Sequence, residues 1–420
     1  MFSRSSYLVS LPALVCEAVC CVLAAFFGQK ELSVILMFLV VLAGCGRLWA
    51  VATAKGIRIR VSGGTKGLFP GEKTQIQLQI ENLKFLPVIW LELAFPLARN
   101  LCLIPEDPRP LEDWETSELE EEGASTQLIG ERRLSFLMWY EKRQISMEWH
   151  ANRRGVYSMK YWRLRTGDGF GLMQIERKLA KEDIRTFYVY PRLVGVLPDL
   201  FLRSLWNADT GTKGVMEDPT VIRSTRDYLP IDSLKHINWR LTARGLPMTV
   251  NVYEDILPKS AHFLLDGESF SGPEPHLEEM EETLSILASE FVRLEQSQVQ
   301  CGLSLCTGRN GTGRNLFSPV GTEELLCALA AYEPLEPKRN DDGKILQRST
   351  VFSEAEILEQ AQRVGRFYYV AYDRAALTRG SLLRKLGHAN TTILTYQDPE
   401  PFGEFEVVSL CRLKEGNGHG

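Results

Sequence analysis

The sequence predicts a multi-domain chain in three parts: an N-terminal transmembrane helical hairpin, an antiparallel β-sandwich-like domain, and a C-terminal α/β domain. Three observations carry this. Two apolar runs stand back to back at residues 7–27 and 32–52. Short segments of alternating apolar and polar residues follow, separated by turn residues, as half-buried strands require. After residue 248, strand-like and helix-like segments take turns, the pattern of a parallel sheet covered on both faces. A chain of 420 residues has room for more than one domain. The boundaries fall at about 1–55, 56–195 and 215–413.

The first part is the hairpin. "YLVSLPALVCEAVCCVLAAFF" is apolar apart from Glu17, and "LSVILMFLVVLAGCGRLWAVA" apart from Arg47. Each has about the 20 residues that a helix needs to cross the ~30 Å hydrocarbon core. "GQKE" (28–31) leaves space only for a tight turn. Arg4 precedes the first run, and Arg47, Lys55, Arg58 and Arg60 mark the end of the second. Positive charge at both outer ends keeps both in the cytoplasm, so a bacterial cell-membrane protein with cytoplasmic soluble domains is expected. "LAGC" (42–45) also resembles a lipobox. Lipidation at Cys45 would send the rest of the chain outside, but the apolar run continues to Ala52.

The second part reads as strands. "IRIRVSGG" and "KTQIQLQIENL" alternate, with "FPGE" (69–72) as a turn between them. "LPVIWLELAFPL" and "RQISMEWHANRRGVYSMKYWRLRTGD" supply further strands, and short strands with regular turns imply a sandwich. Within it, 105–123 is acidic and poor in apolar residues, which reads as a solvated loop.

The third part alternates. "SAHFLLD" (260–266) is strand-like. Met280, Leu284, Leu287, Phe291 and Leu294 recur at helical spacing across 275–298. "VQCGLSLCT", "RFYYVAYD", "NTTILTYQD" and "FEVVSLCRL" are further strands. "GTEELLCALAAYE", "SEAEILEQAQRVG" and "RGSLLRKLGH" are helices, the first two opened by a Thr or Ser cap.

In such sheets ligands bind at loops beyond the carboxyl ends of strands. Asp266 and Glu268 follow the first strand, Asp373 ends a later one, and Thr322 begins a helix. These hard oxygen donors suit Mg²⁺, in the manner of the metal-ion-dependent adhesion site of von Willebrand factor A domains. That site opens Asp-x-Ser-x-Ser, whereas this chain has Asp266-Gly267-Glu268-Ser269-Phe270. A degenerate cation site and simple capping by Asp266 and Asp373 both stand at this stage.

Charge and motifs exclude much else. A net charge of −5 argues against a nucleic-acid partner. Nine cysteines without a CxxC pair indicate neither a zinc site nor a disulfide framework. No Walker A sequence, nucleophile elbow or zincin helix occurs. "TGRNGTGRN" (307–315) lacks the Lys-Ser/Thr of a phosphate loop and reads as a hairpin turn.

The densest motif is "RDYLPIDSLKHINWRLTARG" (226–245). Asp232 is expected to cap a short helix ended by Gly245, with Leu234, Ile237 and Leu241 facing inward and Asp227 and Asp232 pairing with Arg240 and Arg244. Arg226, Tyr228 and Asp232, then Ile237, Trp239, Arg240, Thr242, Ala243 and Arg244, resemble the signature of the bacterial family called domain of unknown function 58. Ile231 stands where the family has glycine. "RRGVY" (153–157), "TGDGFGL" (166–172, with Gly169 for proline), "VYP" (189–191) and the paired apolar start extend the resemblance over most of the chain. It implies a membrane-anchored protein with a β domain and a von Willebrand A-like domain. It also implies association with MoxR-type AAA+ ATPases. The expected function is a non-enzymatic scaffold working with such an ATPase in assembly or maturation of a protein complex. Two alternatives are a metal-dependent hydrolase using the Asp266/Asp373 loops and an extracellular adhesive protein.

Overall fold

The structure, a computed structural model, describes residues 2–5, 10–97, 101–110, 128–159, 162–169, 171, 173–179, 185–195, 217–230, 232–245, 247–255, 260–271, 275–307, 312–334, 354–373, 381–386, 391–396 and 403–413. Most of the acidic 105–123 segment, Ile231 and the tip of the 307–315 turn lie outside them. The chain divides into two compact units, Met1–Pro191 and Arg192–Gly420.

The first unit opens with strand β1 (Phe2–Ser5) and two helices, α1 (Leu11–Phe26) and α2 (Lys30–Thr53). Ser10 caps α1 by accepting from Ala13 N, and Pro12 sits in the first turn where its missing N–H costs nothing. Gly28, at φ 75°, makes the reversal. The helices are tied by Ser33 Oγ donating to Cys21 O at 3.4 Å. At 1.5 Å per residue α1 is only about 24 Å long and α2 about 36 Å. Among the described residues α2 alone is long and apolar enough to cross a bilayer, so the expected first span is shorter than the sequence suggested. The outward face of α2, including Val34, Ile35, Met37, Phe38 and Val41, is bare.

The sandwich follows, in strands β2 (Ile57–Gly63), β3 (Gly67–Leu68), β4 (Lys73–Asn82), β5 (Val88–Pro96), β6 (Leu103–Pro105), β7 (Pro108–Pro110), β8 (Leu128–Leu137), β9 (Lys142–Ala151), β10 (Gly155–Ser158), β11 (Trp162–Gly167), β12 (Met173–Leu179) and β13 (Thr186–Val189). One sheet runs β1-β12-β11-β5-β8-β7, the other β2-β4-β9-β6, and β10-β13-β3 forms a small third. The alternation in β4 is why it pairs in register: Ile76, Leu78 and Ile80 all turn into one core shared with Leu91, Leu93 and Phe95 of the facing sheet. At its centre Phe95 contacts Trp149 and Trp162, with ring centroids 5.2 and 4.9 Å apart. A methyl group on Gly130 would sit 1.9 Å from the Phe95 ring, so the bare backbone there admits it.

Two features join the helices to the sandwich. Ala43 and Ala50 of α2, with Ala54 at its C-cap, pack on Met173 and Ile175 of β12. Their small size lets helix and strand approach closely. At the C-terminal end of α2, Lys84 Nζ donates to Ala52 O at 3.0 Å and also reaches the carbonyls of Thr53 and Lys55, and Arg177 donates to Ala54 O. Two cations thus satisfy the carbonyls that every helix leaves open, at the negative end of its dipole. Burial, helped by Arg177, pulls the Lys84 ammonium down to about 8.

On the other face of the larger sheet, charges alternate across four strands. Arg133 pairs with Glu92 at 2.9 Å, Glu92 with Arg165 at 3.1 Å, and Arg165 with Glu176 at 3.0 Å.

The second unit holds a two-stranded ribbon, β14 (Glu217–Asp227) with β15 (Thr249–Asp255). Between them lies a short helix, α3 (Trp239–Thr242). The ribbon corrects the sequence reading, in which 248–255 led into the parallel sheet. That sheet comprises β16 (Ser260–Leu265), β17 (Gln300–Thr307), β18 (Thr312–Leu316), β19 (Arg366–Ala371), β20 (Thr391–Thr395) and β21 (Glu406–Ser409), in the order β18-β17-β16-β19-β20-β21. All pairs are parallel except β17 with β18. The helices are α4 (Leu277–Gln296), α5 (Thr322–Ala330), α6 (Glu354–Arg363) and α7 (Ser381–Lys385). Phe263 meets Phe291 of α4, whereas its neighbour Leu264 packs with Ile357 of α6 and Leu383 of α7. Successive strand residues face opposite ways, so helices cover both faces. β16 and β19 are buried throughout, as a doubly covered sheet demands.

Candidate functional site

β16 and β19 lie side by side, but the chain leaves β16 toward β17 on one flank and continues from β19 to β20 on the other. The strand order reverses between them, and the crevice at the carboxyl ends of such a pair is where open α/β sheets bind ligands. Asp266 follows β16 there, and Tyr372 and Asp373 follow β19.

Asp266 is engaged by its own fold. Its Oδ2 accepts from Tyr369 Oη at 3.0 Å and its Oδ1 from Glu268 N at 3.2 Å. Ser269 Oγ donates to Asp266 O at 2.6 Å and accepts from Tyr372 N at 2.9 Å, lacing the two loops together. Beside them His276 stacks on Tyr372, with centroids 3.8 Å apart and planes at 14°. Phe270 meets Tyr372 edge-on, and Tyr396 donates to Glu282. The edge is therefore aromatic, with Tyr369, Tyr372, His276 and Tyr396 all outside the sequence reading. Only Tyr369 and Tyr372 within "RFYYVAY" hinted at it.

Thr322 does not join Asp266. β18 runs back against β17, and Ser318 Oγ reaches Gln300 Oε1 at 3.4 Å, so Thr322 begins α5 by the opposite edge of the sheet. It is also the first helical residue, Gly321 taking the cap position. Among the described residues no three His, Cys, Asp or Glu side chains gather closely enough to hold a metal ion. Thr322 thus stands apart from Asp266, and the Asp266 carboxylate caps its own loop.

Burial pushes the Asp266 carboxyl up to about 6 from an ordinary 3.8; the Tyr369 hydroxyl opposes the shift and Glu268 adds to it. Folding thus favours the protonated form. The contribution is whole below about pH 4 and is lost as pH rises through about 6. Asp266→Asn is expected to stabilise the protein by roughly 1–3 kcal/mol at pH 8 and by little at pH 4. Denaturant unfolding at the two pH values measures this; an equal effect at both would refute a buried carboxylate.

The 226–245 segment is the second place of interest, and it differs from its expected form. Asp232 caps no helix. Both its oxygens accept from Arg226, at 2.6 and 2.7 Å, and Oδ2 also accepts from Leu229 N at 2.9 Å. The Arg226 guanidinium holds the Asp232 carboxyl down at about 2. The helix cap is Asn238, whose side chain accepts from Leu241 N and donates to Asn251. An Asx residue directly before the helix was the overlooked signal. The helix is a single turn, and Gly245 takes φ 80° beyond it.

Of the three apolar residues expected to face inward, only Leu234 is turned out, and Leu241 is half-buried. Ile237 is buried, but Leu234 is 65% exposed and Trp239 59%. Tyr228 is half-buried with its N–H on Met248 O, and Arg240, Ala243 and Arg244 are exposed. Leu229 and Met248 extend the exposed apolar area.

No family model matches the chain. It is 26% identical over 229 residues to an uncharacterised protein, YeaD, of Bacillus subtilis; the match covers 54% of this chain and 51% of that protein, so the chain spans about half the length of this curated relative. Among solved structures, a cohesin module of a Clostridium perfringens glycoside hydrolase is 12% identical with a TM-score of 0.21, covering 32% of this chain and 94% of the module. A CARDB domain from Pyrococcus furiosus is 10% identical with a TM-score of 0.19, covering 32% and 91%. Neither likeness carries an argument about function.

Proposed function

We propose that this chain is a membrane-anchored, non-enzymatic interaction protein that presents the 226–245 segment to a MoxR-type AAA+ ATPase during assembly or maturation of a protein complex. The observation that carries the reading is the exposure of Trp239 and Leu234 beside Lys235, Arg240 and Arg244 on a segment fixed by the Arg226–Asp232 pair. Tryptophan and arginine are the residues that most often anchor protein interfaces. Exposed apolar area of this kind, rimmed by charge, marks contact surfaces.

The remaining parts fit the same reading. The helices α1 and α2 act as a hairpin anchor, with Arg47, Lys55, Arg58 and Arg60 on the cytoplasmic side. The α/β unit is, on this reading, von Willebrand A-like and serves binding.

Pull-down of the detergent-solubilised full chain with the ATPase tests this. Trp239→Ala is expected to weaken capture by about 30-fold or more, the effect of losing a central anchor of ~2 kcal/mol. Arg240→Glu should do the same while leaving the melting temperature unchanged. Equal capture by all three proteins would refute the assignment of the surface.

A further inference from the structure

We propose that one end of the β-sandwich is a seat for lipid headgroups, formed by the β4–β5 turn and the β8–β9 turn. The inference rests on the membrane-anchored reading and adds a second point of contact to it.

The two turns carry an unusual load of exposed apolar side chains. Phe85 is 73% exposed and Tyr140 64%, and Leu83, Phe136, Met138 and Trp139 are exposed with them. Phe85 and Trp139 stack across the gap between the turns, with centroids 5.6 Å apart and planes at 20°. Phe136 and Tyr140 hold left-handed backbone, at φ 58° and 54°. Such a conformation costs a bulky residue roughly 1–2 kcal/mol. Here each of these positions holds an aromatic ring exposed to solvent.

The place of the turns supplies the occupant. Val88 pairs with Leu137, so both turns project from the same end of the sandwich. Ile57 pairs with Asn82, so the chain leaving α2 enters the sandwich at that end too. Lys84, between Leu83 and Phe85, donates to the last carbonyls of α2. The aromatic turns therefore continue the apolar surface of α2, which among the described residues is the one helix long enough to cross a bilayer. Tryptophan and tyrosine favour the boundary between hydrocarbon and water, where the ring is buried and the polar atom stays wet. Lys55, an exposed residue, and Lys142, paired with Glu81, stand at the margin, placed for phosphate.

The test uses the full chain in vesicles of phosphatidylcholine and phosphatidylglycerol. Tryptophan quenching is compared for lipid brominated near the headgroup end of its acyl chains and lipid brominated at mid-chain. The shallow bromines should quench the wild type strongly, and Trp139→Phe should remove roughly half of that quenching, Trp49 of α2 accounting for the rest. Adding Tyr140→Trp to the Trp139→Phe protein should restore it. Flotation and resistance to alkaline extraction report anchorage separately. A protein that floats but is quenched equally with and without Trp139 overturns the seat and leaves the anchor standing. A protein that does not float overturns both.

Discussion

Trp149→Ala is expected to destabilise the sandwich by about 3–5 kcal/mol, a large share of what a domain this size possesses. Trp149 is fully buried, and its ring lies between Phe95 and Tyr157, at 5.2 and 5.4 Å. Strands from both sheets close around it, so the space left by truncation cannot collapse readily. Its indole Nε1 has no hydrogen-bond partner among the described residues. Trp149→Phe should therefore cost clearly less, since it keeps an aromatic face while removing an unpaired N–H. Denaturant unfolding of the two variants gives the comparison. Equal losses would mean that the indole N–H is satisfied and that ring stacking is not what the site needs.

The second large effect is expected from removing residues 1–55. That deletion is the natural route to a soluble fragment, but it takes away Ala43, Ala50 and Ala54 and uncovers Met173 and Ile175. It also removes β1, which pairs with β12 from Phe2↔Glu176 to Ser5↔Met173, and leaves Lys84 and Arg177 without their carbonyl acceptors. Losing this cluster amounts to about 5 kcal/mol by the usual area reckoning. The fragment 57–191 should melt well below the same unit in the detergent-solubilised full chain, and should aggregate through its bared β12 edge. A fragment beginning at Ala43 should recover part of the loss. If 57–191 melts as high as the intact chain, α2 is no part of the sandwich core.

How much of this could be read in the sequence depended on whether an element's partners lay within it. The helix at 277–296 was legible because its own spacing shows the buried face. β4 and β19 were legible for the same reason, one alternating and one apolar throughout. β8 and β12 were not. "LIGERRLSFL" and "MQIERKL" carry charges at positions that a strand pattern reserves for one face or the other, and only pairing explains them. Glu92, Arg165, Glu176 and Arg133 neutralise each other across four strands, an order that no single strand displays. β14 was obscured by Pro219, tolerable on the edge of a two-stranded ribbon. In the 226–245 segment the residues singled out were prominent ones, yet their partners were misjudged. Asp232 turned to Arg226, upstream of it, and not to Arg240 or Arg244. Leu234, expected to face inward, is largely exposed, as is Trp239. At the switch point, the donor types suggested a cation, but the sheet's antiparallel edge strand carried Thr322 to the wrong side.

The packing of α2 on β12 has a mechanical result. Only Ala54, Lys55 and Gly56 separate that helix from β2, and its last turns are already wedged against β12. Helix and domain therefore move as one lever. On the membrane-anchored reading proposed above, a bilayer that thins or a force that tilts the helix would be transmitted straight into strand Met173–Leu179, with no slack tether to absorb it.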